Sequence, residues 1–525
     1  MSFKPLDALS YNKKVWILIS ITTFVRLIIA GNLELGNDEV YYQTYAQYLQ
    51  WNYFDHPPMV ALLIRLSTFN LYFHQELFTR LGPVLCSVLG TRLIFKIGKR
   101  LDHERTGWIA AILYNTSFYN SVVAGTFILP DSPLVLFWLL SIYFMIIILD
   151  DQVNPTNRGL RFILLGISIG LCIMSKIHGI FLWFGFGGYI LFRRRKLLNS
   201  PMLWISLIIS IAIFSPIYIW NLQNNFISYK YHQGRINFWG NNPDIGHFLQ
   251  QILGSVFYSN PVNFIIYVCM LWTILKRRKE RFPELYPLLL WLALPLIIIL
   301  FWSSIFSETL PHWSGPAFLS LMLLGACWLN KLHFPQRYAW LKASIWVYGS
   351  VILIAVTSIR ILPFRIGSIQ KRNLGKGDIT LDMSGWHQFA LRFDSIYKSD
   401  INTGRMERNA VILSDYWFPA AHLDYYLSNP FHHVLLAFGP LGNIHQFAWL
   451  NKHRPRLQTG SDAYFIYSSN YYGPPDPSLR NAFFLVEDSI TIPQHRNLNI
   501  VRYFVIYRMH HFKGDSLNYL IPGIQ

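Results

Sequence analysis

Charge is scarce in this chain, and negative charge is scarcest. Only 14% of its 525 residues are charged, with 27 acids against 45 lysines and arginines, while 53% are hydrophobic. Mean hydropathy is positive, at +0.29. That balance excludes an ordinary soluble globular protein. Cysteine is almost missing. Cys86, Cys172, Cys269 and Cys327 all fall in apolar stretches, none at metal-ligand spacing, so no disulfide framework is expected. Neither a G-x-x-x-x-G-K-[ST] loop nor a Rossmann glycine pattern occurs, which argues against a nucleotide-fuelled reaction. No internal repeat of the transporter kind is visible.

What the chain has instead is long apolar runs. Stretches of roughly 20 residues, enough to cross about 30 Å of hydrocarbon, recur from Val15 to Arg360. Spans are expected near 15–31, 79–97, 107–127, 132–149, 160–175, 177–192, 202–220, 253–275, 284–304, 313–330 and 343–360. The count rises to twelve or thirteen if 39–50 and 58–73 also enter the bilayer. The first run follows Lys13-Lys14 and lacks a small-residue cleavage site, so a retained helix is expected. The chain therefore reads as a polytopic α-helical membrane protein with about 11–13 transmembrane helices over 1–360.

The net charge of +18 could suggest nucleic acid, but its placement points elsewhere. Positive residues collect on alternate loops: Lys4, Lys13 and Lys14; Lys99, Arg100 and Arg105; Arg158; Arg193 to Lys196; Lys276 to Lys279; Lys331, Arg337 and Lys342. The positive-inside bias then puts the N-terminus in the cytoplasm and the tail outside. Treating 160–192 as one helix would invert every later loop, so the same bias requires two. The expected location is the cell's inner (plasma) membrane, with no nucleic-acid partner. Residues 361–525 alternate short β-like runs (Ala410–Leu413, His433–Phe438, Ala463–Tyr467, Phe483–Val486, Ile500–Tyr507) with helical stretches such as Pro419–Leu427. This reads as a soluble, extracytoplasmic α/β domain.

On this topology the unusual polar residues share the outward side. Asp38, Glu39, Asp55 and His56 lie in the first outward loop and Asp131 in the second. Lys176 and His178 follow in the third. Tyr229, Tyr231, His232 and Arg235 occupy the fourth, and His312 and Trp313 the fifth. Ionisable groups at a membrane face are costly and commonly mark a site. Each also has a plain structural reading. Asn37 or Asp38 can cap the helix 39–50, whose dipole favours acids. Pro57 and Pro58 can start a helix, Asp131 can begin another, and Lys176 can snorkel. A capping acid can still serve as a base, and prolines would hold Asp55 and His56 at a fixed angle. Lys176, Arg235 and Arg80 together on the side opposed by the charge bias suggest counter-ions for a lipid phosphate.

The order of Asp38-Glu39, Tyr53-Phe54-Asp55-His56-Pro57-Pro58, Pro130-Asp131-Ser132-Pro133-Leu134, Ser175-Lys176-Ile177-His178-Gly179 and His312-Trp313-Ser314-Gly315-Pro316-Ala317 resembles the C-type glycosyltransferases. These include the dolichyl-phosphate-mannose protein mannosyltransferases and the bacterial aminoarabinose lipid A transferases (glycosyltransferase family 39). The resemblance covers roughly 10–330. Gly385-Trp386 and Ala421 to Leu427 look like the variable domain of bacterial members. It implies the C-type fold, with Asp38 as base or acceptor-orienting carboxylate and Glu39 beside it. It also places Asp131 and Lys176 at the outward membrane face, the lysine near the donor phosphate. Tyr53 to Pro57 is similar to the Tyr-Phe-Glu-Lys-Pro segment of the aminoarabinose enzymes. Asp55 here replaces Glu and His56 replaces Lys, nearer to the His-Pro-Pro of the mannosyltransferases.

The expected activity is transfer of a sugar from a polyprenyl-phosphate donor to an extracytoplasmic acceptor (lipid, glycan or protein) by inverting displacement. Tyr53, His56, Arg80, Lys176 and Arg235 would hold the donor phosphate. Asp38 and Glu39 would activate the acceptor, with Asp55, Asp131 and His312 orienting substrate or a metal. No cofactor is required; a divalent metal bridging Asp55, Asp131 and the phosphate is left open. Two other classes use the same features differently. A lipid-linked sugar flippase would use the polar cluster for translocation, and a sensor would bind glycan through its tail.

Overall fold

The computed structural model describes residues 9–150, 157–235, 243–277, 283–362, 365–471 and 473–514. Lys4, Arg278, Lys279 and positions 236–242 of the fourth outward loop lie outside them. The chain divides into two compact units. One comprises Met1–Gly31 and Trp51–Ile352; the other comprises Asn32–Gln50 and Leu353–Gln525.

The first unit is helical, and each of the eleven apolar stretches forms helix. Among the described residues seven helices are long and apolar enough to cross a membrane: Tyr11–Asn32, Glu76–Leu101, Asp131–Leu149, Arg158–Ser175, Pro201–Gln223, Leu285–Ser303 and Phe334–Ile361. A bent pair, Ile245–Ser259 and Pro261–Lys276, makes an eighth if the two helices are taken as one broken span. Glu104–Thr116, Ile180–Arg193 and Gly315–Lys331 are shorter.

Two stretches differ from a simple span, each for a local reason. The run 253–275 turns by 103° at Asn260-Pro261. Proline brings no N–H, and Asn260 takes φ +73°, which asparagine tolerates better than most residues. At the break Asn260 Oδ1 accepts from Val262 N (3.0 Å), and the Asn260 side chain also ties the bend to neighbouring helices. Asn260 Nδ2 donates to the Thr116 carbonyl (2.9 Å) and the Ser344 carbonyl (3.0 Å), and Ser344 Oγ donates to Asn263 Oδ1 (2.7 Å). Such internal satisfaction is obligatory away from water. The run 107–127 stops being α-helical at Thr116 and continues as a π-helical turn, Tyr119–Val123. Here Asn115-Thr116-Ser117 offers side chains that compete with the helical ladder; Ser117 Oγ accepts from Asn120 Nδ2 at 3.1 Å.

The core of this unit runs through Trp138, Leu139, Ile142, Phe186, Leu292 and Leu323, all essentially inaccessible. Small residues set the closest approaches. A Cβ on Gly166 would meet the backbone of Ser206, and Ser210 Oγ donates to the Gly166 carbonyl at 2.7 Å. Two arginines inside the helices are explained by partners. Arg26 Nη2 donates to Asn115 Oδ1 (2.9 Å) and Ser121 Oγ (3.0 Å). Arg92 Nη1 donates to Asn12 Oδ1 (2.6 Å) while its guanidinium lies 5.6 Å from the Trp16 ring.

The second unit is α/β. Among the described residues its six strands are β1 (Val411–Ser414), β2 (Leu435–Ala437), β3 (Ala463–Ser468), β4 (Phe483–Val486), β5 (Ile490–Arg496) and β6 (Asn499–Phe512). The sheet order is β2-β1-β3-β6-β4, with β5 also paired to β6. β1 runs parallel to β2 and β3, whereas β3, β4 and β5 are antiparallel to β6. β6 is long enough (14 residues) to serve β5 with its first half and β4 with its last. β5 was not among the expected strands; it carries Pro493 and pairs only with β6, and proline is confined to sheet edges, where its missing N–H costs little. The helix Asn37–Gln47 belongs to this unit.

Candidate active site

In the helical unit the sequence builds a polar pocket from chain breaks. The helix Arg158–Ser175 ends because Lys176 adopts an extended backbone (φ −160°, ψ 139°). That turns its side chain onto Asp131, the first residue of the helix Asp131–Leu149. Lys176 Nζ lies 2.9 and 3.1 Å from the two Asp131 oxygens, and the Tyr119 hydroxyl donates to Oδ1 at 2.7 Å. Both charged groups are buried.

Opposite this pair stands the turn before the helix Met59–Ser67. Tyr53 N donates to the His56 carbonyl (3.2 Å), closing a turn that Pro57 and Pro58 stiffen. The short helix Ile227–Arg235 locks onto it. Ser228 Oγ donates to the Tyr53 carbonyl (2.9 Å), Asn52 Nδ2 donates to Ser228 Oγ (2.9 Å), and His232 Nε2–H donates to the Asp55 carbonyl (2.6 Å). The His56 and His232 rings stand 5.9 Å apart.

Between these elements opens a cavity of about 570 Å³. Lys176, His56, His178 and His232 give it its polar character, while Ile177, Ile217, Pro57 and Trp313 supply apolar wall. Burial, reinforced by the Lys176 ammonium, holds the His56 imidazole well below its ordinary pKa. Burial likewise lowers His232, and pushes His312 down to about 4 with Lys176 adding to the effect. These imidazoles are therefore neutral at pH 7, and the lysine is the formal cation on the wall. Such a pocket suits an anionic head on an apolar body.

The remaining expected residues are placed differently. Asp55 lines the cavity. Tyr53 is buried behind it, in the turn. His312 lies one residue before Trp313, its ring 5.9 Å from that of Tyr258. Arg235 is exposed, its guanidinium 5.3 Å from the Tyr231 ring. Arg80 is fully buried, donating to the Ala30 carbonyl (3.2 Å) and lying over Phe127 (5.2 Å). Neither arginine lines the cavity. Asn52, Asn221 and Ser228 line it without having been singled out, for an isolated Asn or Ser in a loop carries no signal of its own. His178 and His232 stood in the outward loops but lacked a partner in sequence to mark them.

Asp38 and Glu39 lie in the second unit, in the first turn of the helix Asn37–Gln47. Glu39 is buried and its Oε2 accepts from Gly36 N at 2.9 Å, so it caps its own helix. Asp38 is exposed. The preceding residues are fixed within the same unit: Leu35 N donates to the Tyr426 hydroxyl (2.6 Å), and Glu34 accepts from Trp386 N (2.8 Å) and His387 N (3.2 Å). Among the described residues no group of three or more His, Cys, Asp or Glu side chains is arranged to hold a metal ion. Asp131, one of the two carboxylates expected to bridge a metal, is engaged by Lys176 and Tyr119.

Comparison with known proteins agrees with this picture. The family model for dolichyl-phosphate-mannose-protein mannosyltransferase matches residues 55–220, which include His56, Asp131 and Lys176. Lipid A galacturonosyltransferase RgtD of Rhizobium johnstonii is 23% identical over 359 residues, 65% of this chain and 71% of that protein. The crystal structure of ArnT from Cupriavidus metallidurans bound to undecaprenyl phosphate superposes with a TM-score of 0.64 at 15% identity, covering 93% of this chain and 97% of that one. The apo form gives 0.62 at 14% identity, over 95% and 98%. At such identities the likeness speaks to the fold. Nothing among these matches supports a flippase. With a partial mannosyltransferase family match, a lipid A transferase relative and a near full-length structural match in agreement, the chain has the C-type glycosyltransferase fold and is similar to membrane glycosyltransferases.

Proposed function

We propose that the protein moves a sugar from a polyprenyl-phosphate donor to an acceptor outside the cytoplasm. The observation that carries this reading is Lys176, held by the buried Asp131, on the wall of a large cavity with both polar and apolar lining. The donor phosphate takes its place beside Lys176, with the N–H of neutral His56 as a hydrogen-bond donor, while His232, its own N–H committed to the Asp55 carbonyl, fixes the turn behind it. Negative charge grows on the phosphate oxygen as the glycosidic bond breaks. A fixed ammonium there favours the transition state over the ground state. Asp131 holds the lysine in position.

In the reaction the acceptor hydroxyl or amine gives its lone pair to the anomeric carbon and its proton to a carboxylate, the role that the resemblance to the C-type glycosyltransferases assigns to Asp38. The bond to phosphate breaks, its electrons going to the phosphate oxygen. A single displacement inverts the anomeric centre. The lipid phosphate is a competent leaving group, so the scheme calls for no cofactor. Glu39 supports Asp38 by fixing the helix start.

The alternation of loop charge supports an inner-membrane protein with a cytoplasmic N-terminus and the C-terminal part, 361–525, outside. The undecaprenyl phosphate held by ArnT and the lipid A acted on by RgtD support a lipid-linked donor and an envelope acceptor. The test is direct. Purified protein is incubated with labelled mannosyl, galacturonosyl and aminoarabinosyl polyprenyl phosphates and envelope acceptors. Transfer from one of them is expected, and a protein that only moves the intact lipid across vesicles would overturn the reading.

A further inference from the structure

The second unit carries a surface that the transfer reaction does not use. The turn between β5 and β6 presents Leu498 with 98% of its surface accessible, at a position where a polar residue is the norm. This turn is tied to the end of a membrane span: Asn497 Nδ2 donates to the carbonyl of Ile361, the last residue of the helix Phe334–Ile361, at 2.9 Å. Asn32, ending the helix Tyr11–Asn32, is held nearby through Arg360 Nη2 (3.2 Å to Oδ1). Leu498 is thus fixed beside the end of the helix Phe334–Ile361.

Two more aliphatic side chains are fastened to the same point. Arg496, two residues before Leu498, donates to Asp378 Oδ2 (3.0 Å) and Thr380 Oγ1 (2.5 Å), which brackets Ile379. Ile379 is 79% exposed. The loop leading to Asp378 is folded on itself, with Ser368 N on the Lys376 carbonyl and Gly375 N on the Ser368 carbonyl, both 2.9 Å. It presents Ile369, likewise exposed. Exposed cations, Arg365, Lys371, Arg372 and Lys376, stand on this same loop.

We infer that this patch docks the α/β unit onto a bilayer surface bearing anionic headgroups, in the leaflet where Phe334–Ile361 emerges. Leu498, Ile379 and Ile369 enter the boundary between headgroups and acyl chains. The basic side chains meet the headgroup charge. Aliphatic prongs ringed by Lys and Arg are what interfacial binding requires. The bond from Asn497 to Ile361 supplies the continuity with the membrane. The inference is independent of the sugar-transfer reading.

The test uses the full-length protein in nanodiscs, with environment-sensitive labels on Leu498→Cys, Ile379→Cys and, as control, Phe484→Cys. Phe484 is an exposed aromatic (71%) on strand β4. Labelling of the native cysteines is subtracted using unsubstituted protein. Nitroxide placed on lipid headgroups is expected to quench the first two probes several-fold more than the control. Replacing anionic by zwitterionic lipid, or adding Lys371→Glu and Arg372→Glu, is expected to reduce that difference. Quenching equal to the control, or indifferent to lipid charge, overturns the proposal. The readout needs no transferase activity, so a wrong functional assignment would leave it intact.

Discussion

Lys176 and Asp131 face each other 45 residues apart in sequence, ammonium to carboxylate at 2.9 Å, with the Tyr119 hydroxyl closing the group at 2.7 Å. Each charge is tolerated in the helical unit because the other is there. Breaking such a pair strands a buried charge and costs about 3–5 kcal/mol, whereas replacing both partners by apolar groups is often neutral. Asp131→Leu and Lys176→Met are each expected to lower thermal stability, and the double substitution to recover most of it. Recovered fold without recovered turnover separates the structural from the chemical role. Lys176→Met with undiminished transfer would sink the assignment of Lys176 to the donor phosphate.

Asp38 and its neighbour are adjacent acids with different surroundings. Glu39 is committed to Gly36 N, whereas Asp38 is exposed. Asp38→Asn is expected to remove at least about 10²-fold of turnover, the usual contribution of a positioned base, while donor binding stays unchanged. Glu39→Gln keeps an acceptor for the Gly36 amide and should cost under about 1 kcal/mol of stability. Isothermal titration with donor, run beside a transfer assay, distinguishes the two. Loss of donor binding in Asp38→Asn would contradict a base acting on the acceptor alone.

Much of this was readable in advance because lipid makes simple demands. A span must be long, apolar and internally bonded, and those conditions show in sequence, as at Asp131–Leu149 and Phe334–Ile361. The break at Lys176 was legible too, since continuing the helix would have put Arg193 to Lys196 on the wrong side. What escaped was whatever depends on partners distant in the chain. Nothing in the sequence told that Arg80 would lie over Phe127, or that His232 would bond to the Asp55 carbonyl. Nor did it tell that the first outward loop divides, with Asp55 and His56 in the helical unit and Asp38 and Glu39 in the other. The bend at Asn260 was in plain view as Asn-Pro but was outweighed by the apolar residues around it.

The buried imidazoles give the helical unit a defined response to acid. His56, His232 and His312 have pKa values lowered by burial, His312 to about 4. In the unfolded chain each returns to about 6.5. Between the two values the unfolded state binds protons that the native state refuses, so stability falls as pH drops below about 6.5. Above that pH the native and unfolded histidines are alike and the effect vanishes. An anionic donor beside the histidines opposes this trend. Thermal scans in detergent should show the unfolding temperature dropping from pH 7 to pH 5. The drop should shrink with donor bound, and also in His312→Gln. A flat profile over that interval would mean the imidazoles are not shielded as the geometry implies.

His422 offers the sharpest test of how the helix bearing Asp38 is held. Its ring stacks on Trp386 at 4.1 Å and 3°, and Arg502 lies 4.5 Å from the other partner's ring centroid. Burial keeps its pKa well below the ordinary range, so it is neutral and Nε2–H donates to Asn37 Oδ1 at 2.8 Å. Asn37 is the first residue of the helix that carries Asp38. His422→Ala removes both the bond and the stack, about 1–3 kcal/mol of local stability. It frees the helix start, and a displacement of the order of 1 Å can lower kcat by roughly 100-fold. His422→Gln keeps a donor for Asn37 and should restore a good part of that loss. In both variants KM for donor is expected to stay put, because neither His422 nor Asn37 lines the cavity that holds Lys176. If His422→Ala instead raised that KM and left kcat intact, the stack would be serving donor binding, and its link to the acceptor carboxylate would fall.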